Sequence, residues 1–129
     1  MGGWYDARMA TRELPVRQRG VCCDVRVPAE EGWAAETSEL LKALADPTRL
    51  NMVASLAHAA GAVCICDFTA AFGLSQPTIS HHMAKLRVAG LVESRRRGVW
   101  VYYRLREDIS PLARRLLESL LMESAGPRP

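Results

Sequence analysis

The sequence contains no apolar run long enough to cross a membrane. A membrane-spanning helix needs about 18–20 consecutive apolar residues, and no stretch of this 129-residue chain reaches that length. The first fifteen residues, Met1 to Pro15, include acids and lack the apolar core of a secretory signal. We therefore expect no membrane partner and a cytoplasmic location.

The arrangements on which small enzymes depend are also missing. The sequence has no Gly-rich phosphate loop and no Ser, His and Asp in a plausible catalytic arrangement. The tripeptide GLS at 73–75 stands where a helix begins, so its serine is a capping residue rather than a nucleophile. We expect no enzymatic activity.

Internal repeats and low-complexity tracts are absent as well, and the length suits one domain. Residues 1–32 contain several Gly and Pro residues without sustained periodicity, and we interpret them as an N-terminal arm that carries the vicinal pair Cys22 and Cys23. We expect one domain over residues 33–122 and a frayed tail over residues 123–129.

Helical periodicity and capping residues predict the elements of that domain. Asp46 before Pro47 and Ser75 before Pro77 are both typical of helix starts. We predict helices near residues 33–45, 47–60, 67–72 and 76–89, strands at 91–97 and 99–105, and a last helix that is capped by Asp108 or Ser110 and runs to about Met122. This order favours a mainly α (α+β) winged helix-turn-helix, with a two-stranded β-hairpin as its wing.

Positive charge is concentrated in one third of the chain. The whole sequence has a net charge of +3. The segment from Ser75 to Arg106 contains seven bases against the single acid Glu93, so it carries +6 while the remainder carries −3. This local concentration favours an anionic polymer as partner, and we predict double-stranded DNA.

The helix over 76–89 has two chemically different faces. At 100° per residue, Ile79, Met83 and Leu86 form one apolar face, and polar residues occupy the opposite side. On that side, amide, hydroxyl and imidazole groups suit base edges in a major groove, whereas the ammonium group suits phosphates. The three arginines at the hairpin loop can contact phosphates or enter a minor groove. We predict base contacts from Gln76, Thr78, Ser80 and His81, and phosphate contacts mainly from Lys85, Arg95, Arg96 and Arg97.

The last helix carries a stripe of five leucines, broad for a terminal helix on so small a core. Packing within the subunit is one interpretation, and cover by a two-fold partner is the favoured one. We therefore predict a homodimer formed through the terminal helices. The leucines are Leu112, Leu116, Leu117, Leu120 and Leu121.

Several strings together resemble the arsenic-repressor (ArsR/SmtB-type) family. They are ALADPTRL at 43–50, GLSQPTISHHMAKL at 73–86, AGLV at 89–92 and the basic hairpin that ends at Tyr103. The resemblance covers about residues 36–121. It implies a homodimeric winged-helix repressor that releases operator DNA when a metal or metalloid binds.

The four cysteines form two close pairs, Cys22 with Cys23 and Cys64 with Cys66. In a cytosolic protein such pairs favour metal or redox chemistry. We expect the second pair to stand just before a helix, where the positive end of the helix dipole lowers a thiol pKa. The string VCICDF at 63–68 resembles the metal-sensing box of the family, in which arsenic sensors have a third cysteine where this chain has Thr69.

By the same resemblance, Cys22 and Cys23 can complete the thiolate set, which gives Cys22, Cys23, Cys64 and Cys66 as predicted metal ligands. Trivalent arsenic, As(III), is the favoured effector, with Sb(III) as a chemical equivalent. A sensor of Cd(II) or Pb(II), a thiol-redox-sensing repressor and four thiols without a ligand stay open. The zinc site of the family on the last helix is not expected, because residues 108–122 contain no histidine.

Overall fold

The computed structural model describes residues 16–21, 26–27 and 31–124. Cys22 and Cys23 lie outside the described residues, and so does most of the proposed arm. The division into arm, domain and tail stays a prediction. The elements are α1 (Trp33–Leu44), α2 (Pro47–His58), β1 (Val63–Cys64), α3 (Ile65–Phe72), α4 (Gln76–Val88), β2 (Val92–Arg97), β3 (Trp100–Leu105) and α5 (Pro111–Ser124).

Side-chain caps start three of the helices. The carboxylate of Asp46 accepts a hydrogen bond from the Arg49 backbone N–H at 2.9 Å, and the hydroxyl of Ser75 accepts one from the Thr78 backbone N–H at 3.4 Å. Of the two caps predicted for α5, the structure selects Ser110, whose hydroxyl accepts from the Ala113 backbone N–H at 3.1 Å. Such caps satisfy N–H groups that the helix itself leaves unpaired.

Helix α3 starts two residues earlier than predicted. It begins at Ile65, so Cys64 is its N-cap and Cys66 lies in its first turn. Ile65 and Phe68 are 5% and 2% exposed, and their spacing of three places both side chains on one helix face. Burial of Ile65 in the core therefore accounts for a helix start two residues before the predicted one.

The sheet contains one strand more than predicted. The winged helix-turn-helix fold is confirmed, with β2 and β3 as its wing, but the two-residue strand β1 also pairs with β3, and the strand order is β1-β3-β2. A two-residue strand has no alternating pattern that a sequence could reveal. Across the wing the register runs from Val92↔Leu105 to Arg97↔Trp100. Gly98, with a φ of +62°, allows the two-residue turn between the strands.

The core lies between α2, α4 and the start of the wing. Its most deeply buried side chains include Met52 and Val53 of α2, Leu91 and Val92 before and in β2, and the predicted apolar face of α4, which consists of Ile79, Met83 and Leu86. Burial of this face determines that the opposite side of α4 points outward. Among the described residues, no helix has the length and apolar character that crossing a membrane requires.

Candidate nucleic-acid interface and thiol site

The outward side of α4 carries the polar groups predicted for it. Gln76, His81 and Lys85 are exposed, and Thr78 and Ser80 are half-buried. The Thr78 hydroxyl lies 2.9 Å from the Ser75 hydroxyl, so it takes part in the cap that starts the helix. Gln76 and Ser80 face the wing, whereas His81 and Lys85 lie on the side of α4 next to α1. A major groove accepts a helix that presents polar side chains in this way.

The three consecutive arginines lie at the end of strand β2, within the strand predicted over residues 91–97, and the turn itself consists of Gly98 and Val99 rather than of arginines. Because side chains alternate across a strand, Arg96 points to one face of the wing and Arg95 and Arg97 to the other. Arg96 lines a groove of about 440 Å³ between α4 and the wing. The other lining residues are Ile65, Gln76, Ser80, Met83, Ala84, Arg87, Ser94, Val101 and Tyr103.

Sequence reasoning missed Arg87 and Ser94 as members of this groove. The Arg87 guanidinium donates to the Ser94 hydroxyl at 3.5 Å and so joins α4 to the wing. Arg87 follows Ser80 by seven residues, which places both on one helix face. That spacing is readable from the sequence, whereas Ser94 depends on how the wing packs.

At the end of the wing far from the turn, basic side chains form ion pairs with carboxylates. Arg104 pairs with Glu93, and Arg106 binds Asp108 at 2.7 Å. The hydrogen bond and the charge of Arg106 lower the pKa of Asp108. Within the described part of the chain, Arg95, Arg96 and Arg97 form no ion pair. These three arginines near the tip can therefore meet an anion.

A buried arginine of α2, Arg49, contacts both α1 and α4. Arg49 is 8% exposed. Its Nε donates to the Ala43 carbonyl at 2.6 Å and its Nη2 to the Lys42 carbonyl at 3.3 Å, both at the end of α1. Its Nη1 lies 3.3 Å from Nδ1 of His82 on α4. Arg49 thus joins α1, α2 and α4, and the structure places His82 at the core boundary, as expected.

Cys64 and Cys66 form a close thiol pair where β1 meets α3. Cys64 is buried and Cys66 is exposed. A hydrogen bond with Cys64 raises the pKa of the Cys66 thiol, and desolvation and the charges of Cys64 and Asp67 add to this effect. The pKa of Cys66 therefore moves up, against the expectation that the helix start lowers it.

The described residues supply two thiols to this site and no more. Among residues 16–21, 26–27 and 31–124, no group of three His, Cys, Asp or Glu side chains is arranged to hold a metal ion. Thr69, which stands where arsenic sensors of the resembled family have a third cysteine, donates its hydroxyl to the Cys66 carbonyl at 2.7 Å.

The leucines of α5 divide between two environments. Leu117 is buried at 4% exposure, whereas Leu112 and Leu120 are each 40% exposed. On α1, Trp33 and Leu41 are 54% and 48% exposed. The stripe therefore packs partly within the subunit and partly leaves an apolar surface on the terminal helices.

Comparison with known proteins decides the family. Residues 46–94 match the model described as bacterial regulatory protein, arsR family. The biofilm growth-associated repressor of Agrobacterium fabrum is 39% identical over 108 residues, which cover 84% of this chain and 88% of that protein. This chain belongs to the ArsR family. The family consists of DNA-binding transcriptional regulators, which confirms the expectation that the chain is not an enzyme.

Relatives with arsenic-related names match shorter parts of this ArsR-family chain. The arsenical resistance operon repressor of Escherichia coli K12 is 44% identical over 80 residues, which cover 62% of this chain and 68% of that protein. The arsenic resistance transcriptional regulator ArsR1 of Pseudomonas putida is 49% identical over 70 residues, and the match spans 54% of each protein.

Solved structures of transcriptional regulators share the fold. HlyU from Vibrio cholerae superposes with a TM-score of 0.63 at 29% identity, over 75% of this chain and all of that one. The transcriptional repressor BigR from Xylella fastidiosa gives a TM-score of 0.59 at 33% identity, over 75% of this chain and 94% of that one.

Proposed function

We propose that this chain is a cytoplasmic, homodimeric repressor that binds operator DNA and releases it when trivalent arsenic binds its cysteine thiolates. Cys22 and Cys23 supply two thiolates, and at least one of Cys64 and Cys66 supplies the third. The observation that carries the proposal is the position of the thiol pair: it lies between strand β1, which pairs with the wing, and helix α3, which packs on α4.

The proposed binding of DNA rests on the groove between α4 and the wing. Gln76, Ser80 and Arg96 line it together. His81 and Lys85 are exposed and line a separate hollow between α4 and the end of α1. A major groove is wide enough to accept a helix such as α4. The base edges there present donors and acceptors that amide, hydroxyl and imidazole groups match. Lys85, Arg95, Arg96 and Arg97 then mainly neutralise phosphates, which contributes to affinity for any sequence.

The proposed homodimer rests on the exposed apolar residues of α1 and α5. Trp33, Leu41, Leu112 and Leu120 leave large apolar side chains in water, and a two-fold partner that covers them removes that cost. A dimer also presents two copies of α4 to the DNA. Operators for such dimers are palindromic, with half-sites about one helical turn apart.

The proposed effector, trivalent arsenic, rests on the chemistry of sulfur ligands. Thiolates favour soft and thiophilic ions, and trivalent arsenic requires three of them. The raised pKa of Cys66 means that ion binding must displace a proton from this pair, so affinity rises with pH. A bound ion that draws Cys22 and Cys23 towards Cys64 shifts β1 and α3, and with them the wing and α4. Coupling of about 1–3 kcal/mol weakens DNA binding roughly 5–150-fold.

A titration of the reduced full-length protein tests this proposal. Arsenite, antimonite and cadmium are added separately, bound ion per subunit is counted by ultraviolet absorption, and release of a fluorescent operator duplex is followed by anisotropy. Cys22→Ser, Cys23→Ser and the double variant Cys64→Ser with Cys66→Ser are expected to bind DNA like the parent protein. Release by arsenite is expected to be lost in the double variant, and lost or strongly weakened in each arm variant.

A gain-of-function variant provides the matched control. Thr69→Cys adds a thiol one helical turn after Cys66, and in a background with Cys22→Ser and Cys23→Ser it is expected to restore arsenite release. Full release by arsenite in that background without Thr69→Cys would exclude the arm from the sensor. Release by cadmium alone identifies the alternative metal sensor, and release by peroxide without any ion identifies the redox sensor.

A further inference from the structure

One row of side chains runs across the sheet from the thiol pair to the wing. Strand β3 lies between β1 and β2, and its Tyr102 pairs with Cys64 on one side and with Arg95 on the other. Residues paired across antiparallel strands share a face of the sheet, with Cβ atoms about 4.5–5.5 Å apart. Tyr102 is therefore the direct neighbour of a proposed ligand and of a proposed phosphate contact.

This row lies on the face of the wing that does not form the groove with α4. Ser94 and Tyr103, which pair with each other, both line that groove. Because successive side chains of a strand alternate between faces, Tyr102 and Arg95 point away from α4. Along the row, Cys64 is buried, Tyr102 is half-buried and Arg95 is exposed. The row thus leads from the interior of the subunit to the surface that is proposed to meet DNA.

We infer that Tyr102 transmits effector binding from Cys64 to Arg95. This inference rests on the proposed function and adds the route of its coupling. An ion held by the Cys64 Sγ takes up space on the face that the phenol ring shares, so the ring shifts. Arg95, on the far side of the ring, then leaves the position from which it meets a phosphate. Tyr102 is a positioning residue in this scheme, and the loss of the Arg95 contact supplies the differential affinity that release requires.

The neighbouring positions of β3 offer poorer routes. Tyr103 pairs with Val63, which has no ligand atom, and with Ser94. Tyr103 is also 7% exposed and belongs to the core, where close packing resists displacement. Trp100 shares the face of Tyr102 but lies beyond the end of β1, which pairs only with Tyr102 and Tyr103 in the described part of the chain. Among the described side chains of β3, Tyr102 alone neighbours both a cysteine and an arginine.

Replacement of the ring separates transmission from binding. Arsenite bound to the reduced full-length protein is counted by ultraviolet absorption. Affinity for a duplex selected from a random pool is measured by anisotropy with and without arsenite, and the ratio of the two affinities is the release factor. Tyr102→Leu is expected to bind arsenite like the parent protein and, without arsenite, to bind DNA like it. Its release factor is expected to fall at least about twofold, the lower end of what residues on a coupling route contribute.

Two further variants serve as matched controls. Tyr102→Phe keeps the ring and is expected to keep the release factor of the parent protein. Trp100→Leu removes an aromatic ring from the same strand and the same face, one row farther from the thiols, and is also expected to keep it. An equal fall of the release factor in Tyr102→Leu and Trp100→Leu would overturn the inference, since loss of either ring would then have the same effect.

Arg95→Ala tests the far end of the row at an exposed position, so the test does not depend on whether Tyr102→Leu folds. This variant is expected to bind DNA more weakly than the parent protein without arsenite and equally with arsenite, because arsenite has already removed the contact. In the parent protein, arsenite is expected to lower the slope of log affinity against log salt concentration by about 0.9 for each Arg95 that leaves a phosphate. In Arg95→Ala and in Tyr102→Leu, arsenite is expected to change that slope less.

The outcomes distinguish the inference from the proposed function. Release by the full factor of the parent protein in Tyr102→Leu or in Arg95→Ala would overturn the inference and leave the proposed function standing. Loss of arsenite binding in Tyr102→Leu would also overturn it, because Tyr102 would then support the thiol site rather than transmit from it. A parent protein that binds no arsenite, or that binds it and keeps its DNA, would overturn both.

Discussion

One guanidinium group, that of Arg49, holds the end of α1 against α2 and α4. Helix ends leave carbonyl groups without intrahelical partners, and Arg49 supplies donors to two of them. Arg49→Met keeps most of the side-chain volume but removes these charge-assisted hydrogen bonds. We expect the free energy of unfolding to fall by about 2–3 kcal/mol, as measured by urea denaturation.

Lys42→Ala is the control for this variant. Lys42 and its partner Glu39 are both largely exposed, and exposed ion pairs contribute little because solvent screens them. Its cost is expected to stay below about 0.5 kcal/mol. Equal costs for the two variants would show that Arg49 does not cap α1.

The raised pKa of Cys66 predicts slow chemistry at neutral pH. Only the thiolate is nucleophilic, so a higher pKa leaves less of it at pH 7. In a protein with Cys22→Ser and Cys23→Ser, we expect iodoacetamide to modify Cys66 more slowly than a free thiol and the rate to rise towards alkaline pH. Cys64→Ala removes the opposing thiol, and the pH profile of Cys66 is expected to move to lower pH. An unmoved profile would contradict the coupling of the two thiols.

The leucine stripe of helix α5 packs partly in the subunit core and is partly exposed to a partner. Leu120→Glu puts a charge on the exposed part of the stripe, where it opposes burial against a partner. We expect the variant to fold, to sediment as a monomer and to bind operator DNA weakly. Leu117→Ala is the matched control: it leaves a cavity in the subunit core and is expected to lower the free energy of unfolding by about 2–5 kcal/mol. A Leu120→Glu protein that sediments as a dimer would place the interface elsewhere.

The elements show where sequence reasoning works and where it stops. Helix α4 begins and buries its apolar face as predicted, because its cap and its periodicity depend on neighbouring residues. Helix α3 starts two residues before its predicted start, since burial of Ile65 depends on the whole core. Strand β1 was not predicted, because its only signal is the pairing with β3, about forty positions along the chain.

The charge of the whole molecule predicts how DNA binding depends on salt. Each phosphate that a basic side chain neutralises contributes about 0.9 to the slope of log affinity against log salt concentration. Lys85→Ala and Arg96→Ala are each expected to reduce that slope by about 0.9, on specific and unrelated duplexes alike. Arg104→Ala, whose charge already pairs with Glu93, is expected to leave the slope unchanged. A slope that Lys85→Ala and Arg96→Ala do not alter would contradict the assigned phosphate contacts.

What the sequence by itself determined is the set of features that depend on residues close together along the chain. These features are the helices with their caps, the polar face of α4, the basic segment, the two cysteine pairs and the strings that resemble the family. Tertiary structure alone decided which wing face each arginine occupies, what Arg49 holds together, how the leucines of α5 divide and in which direction the pKa of Cys66 moves. Each of these depends on how a side chain packs, or on which groups surround it, once the chain has folded.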